Sequence, residues 1–292
     1  MFISLGIYLF SGLQLLYLVY FGVGSKHLVS WKYSIYLLFC GVYFDNLHYY
    51  GSSFNLFIII SCVSILFIED YALKCGFIFG NYEFNDNFGF RITPKLPFLV
   101  IILWQSLLFP SFSLSYYIVN NFVRSVGYSK TILQILLAST LITGFDVISE
   151  PIAVLYGHQL WHHTAFVDQK CDSYTPRPDW LYSASVAIDQ SSYYYYYGIP
   201  LQNFIGWFIT SLFIYILFTV YRSYFKLQYI AKDSHEHVSY LVTIVCTILF
   251  YVLHPCHPPL VKRNGCIYLL CIVMLLIGSI YYKKCYHVIK SD

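Results

Sequence analysis

Seven runs of about 20 mostly apolar residues follow one another along this chain, near 2–23, 54–73, 97–119, 131–156, 200–221, 239–256 and 265–282. A weaker run over 33–50 is interrupted by Asp45 and His48. About 20 apolar residues is the length an α-helix needs to cross the hydrocarbon core of a bilayer. In that medium no water satisfies a bare N–H or C=O, so only helices and closed barrels span it. None of the runs alternates apolar and polar residues as barrel strands do. The pattern predicts an all-α fold, a polytopic transmembrane helical bundle of seven or eight spans, with residues 1–292 as a single integral membrane domain. The cell membrane is the expected location.

Composition supports the same setting. Of the 292 residues 58% are hydrophobic and 11% charged, against about 25% charged in soluble domains, and the mean hydropathy is +0.61. The net charge of +3 is small and its basic residues are scattered, which excludes a nucleic-acid partner. The nine cysteines, Cys40, Cys62, Cys246 and Cys271 among them, lie mostly inside apolar runs and form no CxxC pair. They are read as core-filling thiols, not as a disulfide or metal framework. The first run lacks a basic flank and a small-residue cleavage site, so an uncleaved span is expected there. With eight spans assumed, basic residues divide almost evenly between the two sides, so they give no orientation.

Two connections exceed simple turns. Residues 74–96 are rich in Gly, Asn and aromatics, and 157–199 carry a polar stretch followed by the run Tyr193 to Tyr197. Loops this long are commonly functional or disordered; the middle of the second, 165–190, is expected to be variable or disordered.

Of the fourteen acids, Asp146 and Glu150 lie four residues apart in an apolar run, on one face of a helix. Carboxyls at membrane depth are functional candidates by default. Two that share a low-dielectric site cannot both ionise readily, so such a pair can hold a proton for general acid chemistry. A structural hydrogen-bonded pair, or a pair near the helix end wetted by the interface, is the competing reading. Glu69 and Asp70 end another run, where solvated helix-end residues are an equal alternative. Glu83 and Asp86 read as loop residues in water.

His158, His162 and His163 spell H-x-x-x-H-H, a spacing that lets imidazoles share a metal on one helix face. A di-iron site needs further boxes, and the chain offers only His235-Glu-His237 and His254-Pro-Cys-His257. Polar residues after a span are the favoured reading, with metal ligation as the alternative. The aromatics, 21% of the chain, read mainly as interface belts and core, although aromatic faces also suit a long conjugated ligand.

Three segments together carry a resemblance. The first is Glu69 with Gly76-Phe-Ile-Phe-Gly80-Asn-Tyr82, followed by Leu96-Pro97 and Trp104. The second is Asp146-Val-Ile-Ser-Glu150-Pro151 with Gly157 and Trp161. The third runs Tyr196-Tyr197-Gly198-Ile199-Pro200-Leu201-Gln202-Asn203-Phe204-Ile205-Gly206-Trp207. Over residues 60–222 the chain resembles the carotenoid biosynthesis protein family, whose characterised members hydrate acyclic carotenoid ends (bisanhydrobacterioruberin hydratase and γ-carotene hydratase). It departs from the usual pattern at Ile78, where proline is common, and at Glu150, where aspartate is.

The resemblance implies acid-catalysed addition of water to a terminal C=C of a carotenoid or related polyisoprenoid, with no cofactor. Asp146 and Glu150 would supply the proton, with Glu69 as third acid. Tyr82, Trp104, Trp161, Tyr197 and Trp207 would face the substrate, and Asn203 would bond the water or an acid. The competing functions are a carotenoid end-group cyclase, a di-iron lipid hydroxylase and a non-enzymatic isoprenoid or lipid carrier.

Overall fold

The structure is a computed structural model and describes residues 40, 43, 52–84, 88–123, 127–155, 161–163, 195–196 and 199–227. The spans expected at 2–23, 239–256 and 265–282, most of 33–50, and the segment 165–190 lie outside the described residues. Among the described residues four helices dominate: α1 (Ser52–Cys75), α2 (Phe98–Phe122), α3 (Tyr128–Leu155) and α4 (Leu201–Tyr224). All four are long and apolar enough to cross a membrane. They match the runs expected at 54–73, 97–119, 131–156 and 200–221 to within a few residues.

The fold is mostly helical but not purely so. In the two long connections β1 (Tyr82–Phe84) pairs antiparallel with β2 (Trp161–His163), and β3 (Tyr195–Tyr196) with β4 (Ile199–Pro200). Strands of two or three residues are too short for apolar–polar alternation to register in a sequence. They form where the chain has left its helices and its N–H and C=O groups need other partners.

The helices pack as a ring, α1 against α2 and α4, and α3 against α2 and α4. Alternating direction around the ring brings the C-terminal ends of α1 and α3 to the N-terminal ends of α2 and α4. On α1 the residues Phe57, Ser61, Ile65 and Glu69 are buried at four-residue spacing, while Ile59, Val63, Phe67 and Tyr71 are exposed. An outer face that apolar suits lipid and would not suit water. α2 has no such face. It is buried almost continuously from Leu99 to Val119, as befits a helix apolar on every side. Its serines stay satisfied by bonding their own helix, Ser111 Oγ to Leu107 O at 2.7 Å and Ser115 Oγ to Phe112 O at 2.7 Å.

Away from the shared ends, the ring is closed by aromatics. Phe57 packs edge-on against Phe109 and Phe218, with centroids 5.1 and 5.0 Å away, and Phe112 lies 5.2 Å from Tyr215. The Tyr215 hydroxyl donates to Leu108 O at 2.8 Å, which fixes α4 beside α2.

At the other end the loop after α1 lies tightly on α4. A Cβ on Gly206 would sit 2.7 Å from Ile78 O and 2.6 Å from Phe79 Cδ1, so the approach requires glycine. The loop leaves α1 through Gly76, at φ +67°, in the left-handed region that glycine enters without a steric penalty. Gln202 Nε2 donates to Gly76 O at 3.3 Å, so α4 holds both ends of the turn.

Candidate active site

Three carboxyls are buried near the end of the ring where that loop docks. Glu69, Asp146 and Glu150 are 5%, 1% and 3% exposed. The spacing that put Asp146 and Glu150 on one helix face holds in α3, and their carboxyls are hydrogen-bonded to each other. Asn203, on the first turn of α4, donates Nδ2 to Asp146 Oδ2 at 3.1 Å. Glu69 reaches the same space from α1, close enough for its charge to act on both partners.

Glu69 is held at both oxygens. Trp104 Nε1 donates to Oε1 at 2.7 Å, and the Tyr82 hydroxyl donates to Oε2. Tyr82 lies on β1, outside the helices. Burial first, and then the Glu69 charge, hold its phenol well above the ordinary value, so it stays a protonated donor. Trp104 is stacked on Trp207 with centroids 3.7 Å apart and planes at 17°. Phe79 packs on Trp104 at 6.2 Å and on Tyr82 at 6.3 Å. The loop pinned by Gly206 therefore supports both groups that hold Glu69.

Glu69, Tyr82, Trp104, Asp146, Glu150, Asn203 and Trp207, widely separated in sequence, thus gather at one end of the ring. The arrangement gives Tyr82 and Trp104 a shared partner within the protein, the Glu69 carboxyl. Trp161 is in β2, with its backbone opposite Phe84. Tyr197 and His158 lie outside the described residues. His162 and His163 fall on a strand opposite Glu83 and Tyr82, and a strand does not provide the single helix face that H-x-x-x-H-H would need. Asp70, next to Glu69, is half-buried and pairs with Lys74, and Glu83 is exposed. No group of three or more His, Cys, Asp or Glu among the described residues is arranged to hold a metal ion.

Sequence reasoning missed Phe79 and Gln202, both inside the segments it singled out. It also missed Gln105 and Ser61, which bond to each other at 2.8 Å within the ring. A glutamine amid apolar residues was their only available signal.

The family model described as carotenoid biosynthesis protein matches residues 33–257, a stretch that contains every residue of this site. The chain belongs to the carotenoid biosynthesis protein family. No curated protein and no solved structure matches it.

Proposed function

We propose that the protein is a multi-pass enzyme of the cell membrane that adds water to the terminal C=C of an acyclic carotenoid end group. The observation that carries this reading is the buried, hydrogen-bonded Asp146–Glu150 pair facing a third carboxyl. Protonating a trisubstituted alkene needs a strong acid in a dry setting, and a carboxyl pair sharing a proton supplies one. The π bond breaks as a C–H bond forms at one carbon, and a tertiary cation develops on its neighbour. A water oxygen then closes the C–O bond. The proton it sheds passes to a carboxylate of the cluster, so the net change is the addition of one water.

Glu69 is fixed by bonds at both oxygens and keeps a further lone pair on each, so it serves to orient the water and take its proton, and Asn203 holds Asp146 in place. The face of Trp207 stabilises the cation without reacting with it. The cluster lies near the ends of its helices, so the reacting end group sits shallow while the polyene runs between helices, entering from lipid. Neither protonation nor water capture requires a redox cofactor or a metal.

The test is expression in cells that accumulate lycopene or γ-carotene, with pigment analysis by chromatography and mass spectrometry. The expected product is a pigment heavier by one water with unchanged visible absorption. A pigment of unchanged mass would indicate cyclisation and sink the hydratase reading.

A further inference from the structure

Further along the ring from the acids, the same stripes carry a second set of buried polar residues. On α1 Ser61 shares the buried face with Glu69, on α3 Ser139 shares it with Asp146, and on α4 Thr210 shares it with Asn203. At 1.5 Å per residue each offset is about 10–12 Å. The remaining helix, α2, supplies Gln105, whose Oε1 accepts from Ser61 Oγ at 2.8 Å. All four helices therefore place a polar side chain at one depth, between the Trp104–Trp207 stack and the rings around Phe57.

Two atoms of this layer have no partner, Gln105 Nε2 and Thr210 Oγ1. Their residues are 0% and 2% exposed. Ser61 has one proton and three acceptors around it, Gln105 Oε1, Ile58 O at 3.2 Å and Phe57 O at 2.6 Å. Turning the Gln105 amide over would let Nε2 donate to Ser61 Oγ, and Oε1 would then be bare. One end of the amide is unpartnered either way. Polar residues that only glue helices together bond across the interface, and here Gln105 and Thr210 leave an N–H and a hydroxyl unused. Buried groups of this kind are satisfied by ordered water when the site is polar.

We propose that Ser61, Gln105 and Thr210 hold internal water one layer below the acid cluster. We further propose that this layer is the source of the water consumed in hydration, a role that rests on the proposed activity. Water fits the layer because it can accept from the amide N–H and also bond the hydroxyl. A hydrocarbon chain can do neither, and none of the four side chains carries a charge that would call for an ion.

The water site is tested without substrate, on the full chain in lipid nanodiscs. In X-ray footprinting, bound water yields hydroxyl radicals that oxidise adjacent side chains. Phe57 and Phe109, each one turn from a member of the layer, should be labelled despite their burial. The label should fall several-fold in Gln105→Leu/Thr210→Val. Unlabelled rings in the wild type would overturn the site, and that result needs no variant to fold.

The supply role is tested in heavy water with an acyclic carotenoid. The wild type should give a hydrated product together with some deuterium exchange into recovered alkene. In the double variant the ratio of hydration to exchange should fall several-fold, because protonation persists while capture fails. A parallel loss of both, or no change in the ratio, would overturn the role. Labelled rings in a wild type that hydrates nothing would uphold the water site and remove the proposed activity along with the supply role.

Discussion

At one end of the ring the buried stripes of α1, α3 and α4 carry Glu69, Asp146 and Asn203. About three turns further on, the same stripes carry Phe57, Ile135 and Ile214. The two ends are held together differently. Around Phe57 the contacts are ring against ring, non-directional and shared among many neighbours. Around Glu69 each polar atom answers to a named donor, Trp104 on one oxygen and Tyr82 on the other. Carboxyls buried this deep disfavour folding unless they are paired, whereas the rings impose no such penalty. The comparison teaches that the aromatic end secures the helices, which leaves the acid end free to serve the proposed chemistry. Substitutions at the two ends should therefore separate stability from activity.

The largest effect is expected from Asp146→Asn/Glu150→Gln. Product formation per folded protein should drop by about 10²–10⁴, while the melting temperature changes little, as pigment assays beside thermal unfolding would show. Activity within about tenfold of wild type would remove the pair from proton donation. At the other end, Phe57→Ala should lower stability by about 1–3 kcal/mol with product per folded protein unchanged. That is less than the roughly 3–5 kcal/mol of a soluble core, because lipid replaces the lost apolar surroundings and only packing is lost. A matching loss of activity in that variant would break the division between the ends.

Gly206→Ala should cross the division. The added methyl meets Ile78 O and Phe79, so both readouts should worsen, with a stability loss of about 1–3 kcal/mol from overpacking. An activity loss of about tenfold is expected for Tyr82→Phe, which keeps the ring against Phe79 and removes one donor to Glu69. Because the phenol is held well above its ordinary value, wild-type activity should show no alkaline limb from Tyr82 at the pH where a free tyrosine titrates. The smallest effect is expected from Tyr215→Phe, which removes the bond to Leu108 O and should lower stability by about 1 kcal/mol without touching activity.

The sequence made the four described helices legible because length and hydropathy alone decide whether a segment can cross lipid. The acids were legible for a related reason. Asp146 and Glu150 interrupt an apolar run one helical turn apart, and periodicity alone puts them on one face. Glu69 was harder to tell from Asp70, since both end the same run, and only the packing of α1 against α2 turns one inward and the other towards Lys74. The parts Tyr82 and Trp104 play as donors to Glu69 could not be read at all. Each bond joins groups far apart in sequence, and either aromatic could equally have faced a ligand. The short strands stayed hidden because a three-residue strand has no period to detect.

The most direct test of the central claim uses purified protein, an acyclic carotenoid and water enriched in heavy oxygen. The account predicts a tertiary alcohol that carries the heavy isotope in the wild type, and no alcohol with Asp146→Asn/Glu150→Gln at equal folded protein. An isomer without added oxygen, or an alcohol formed equally well by the variant, would contradict it.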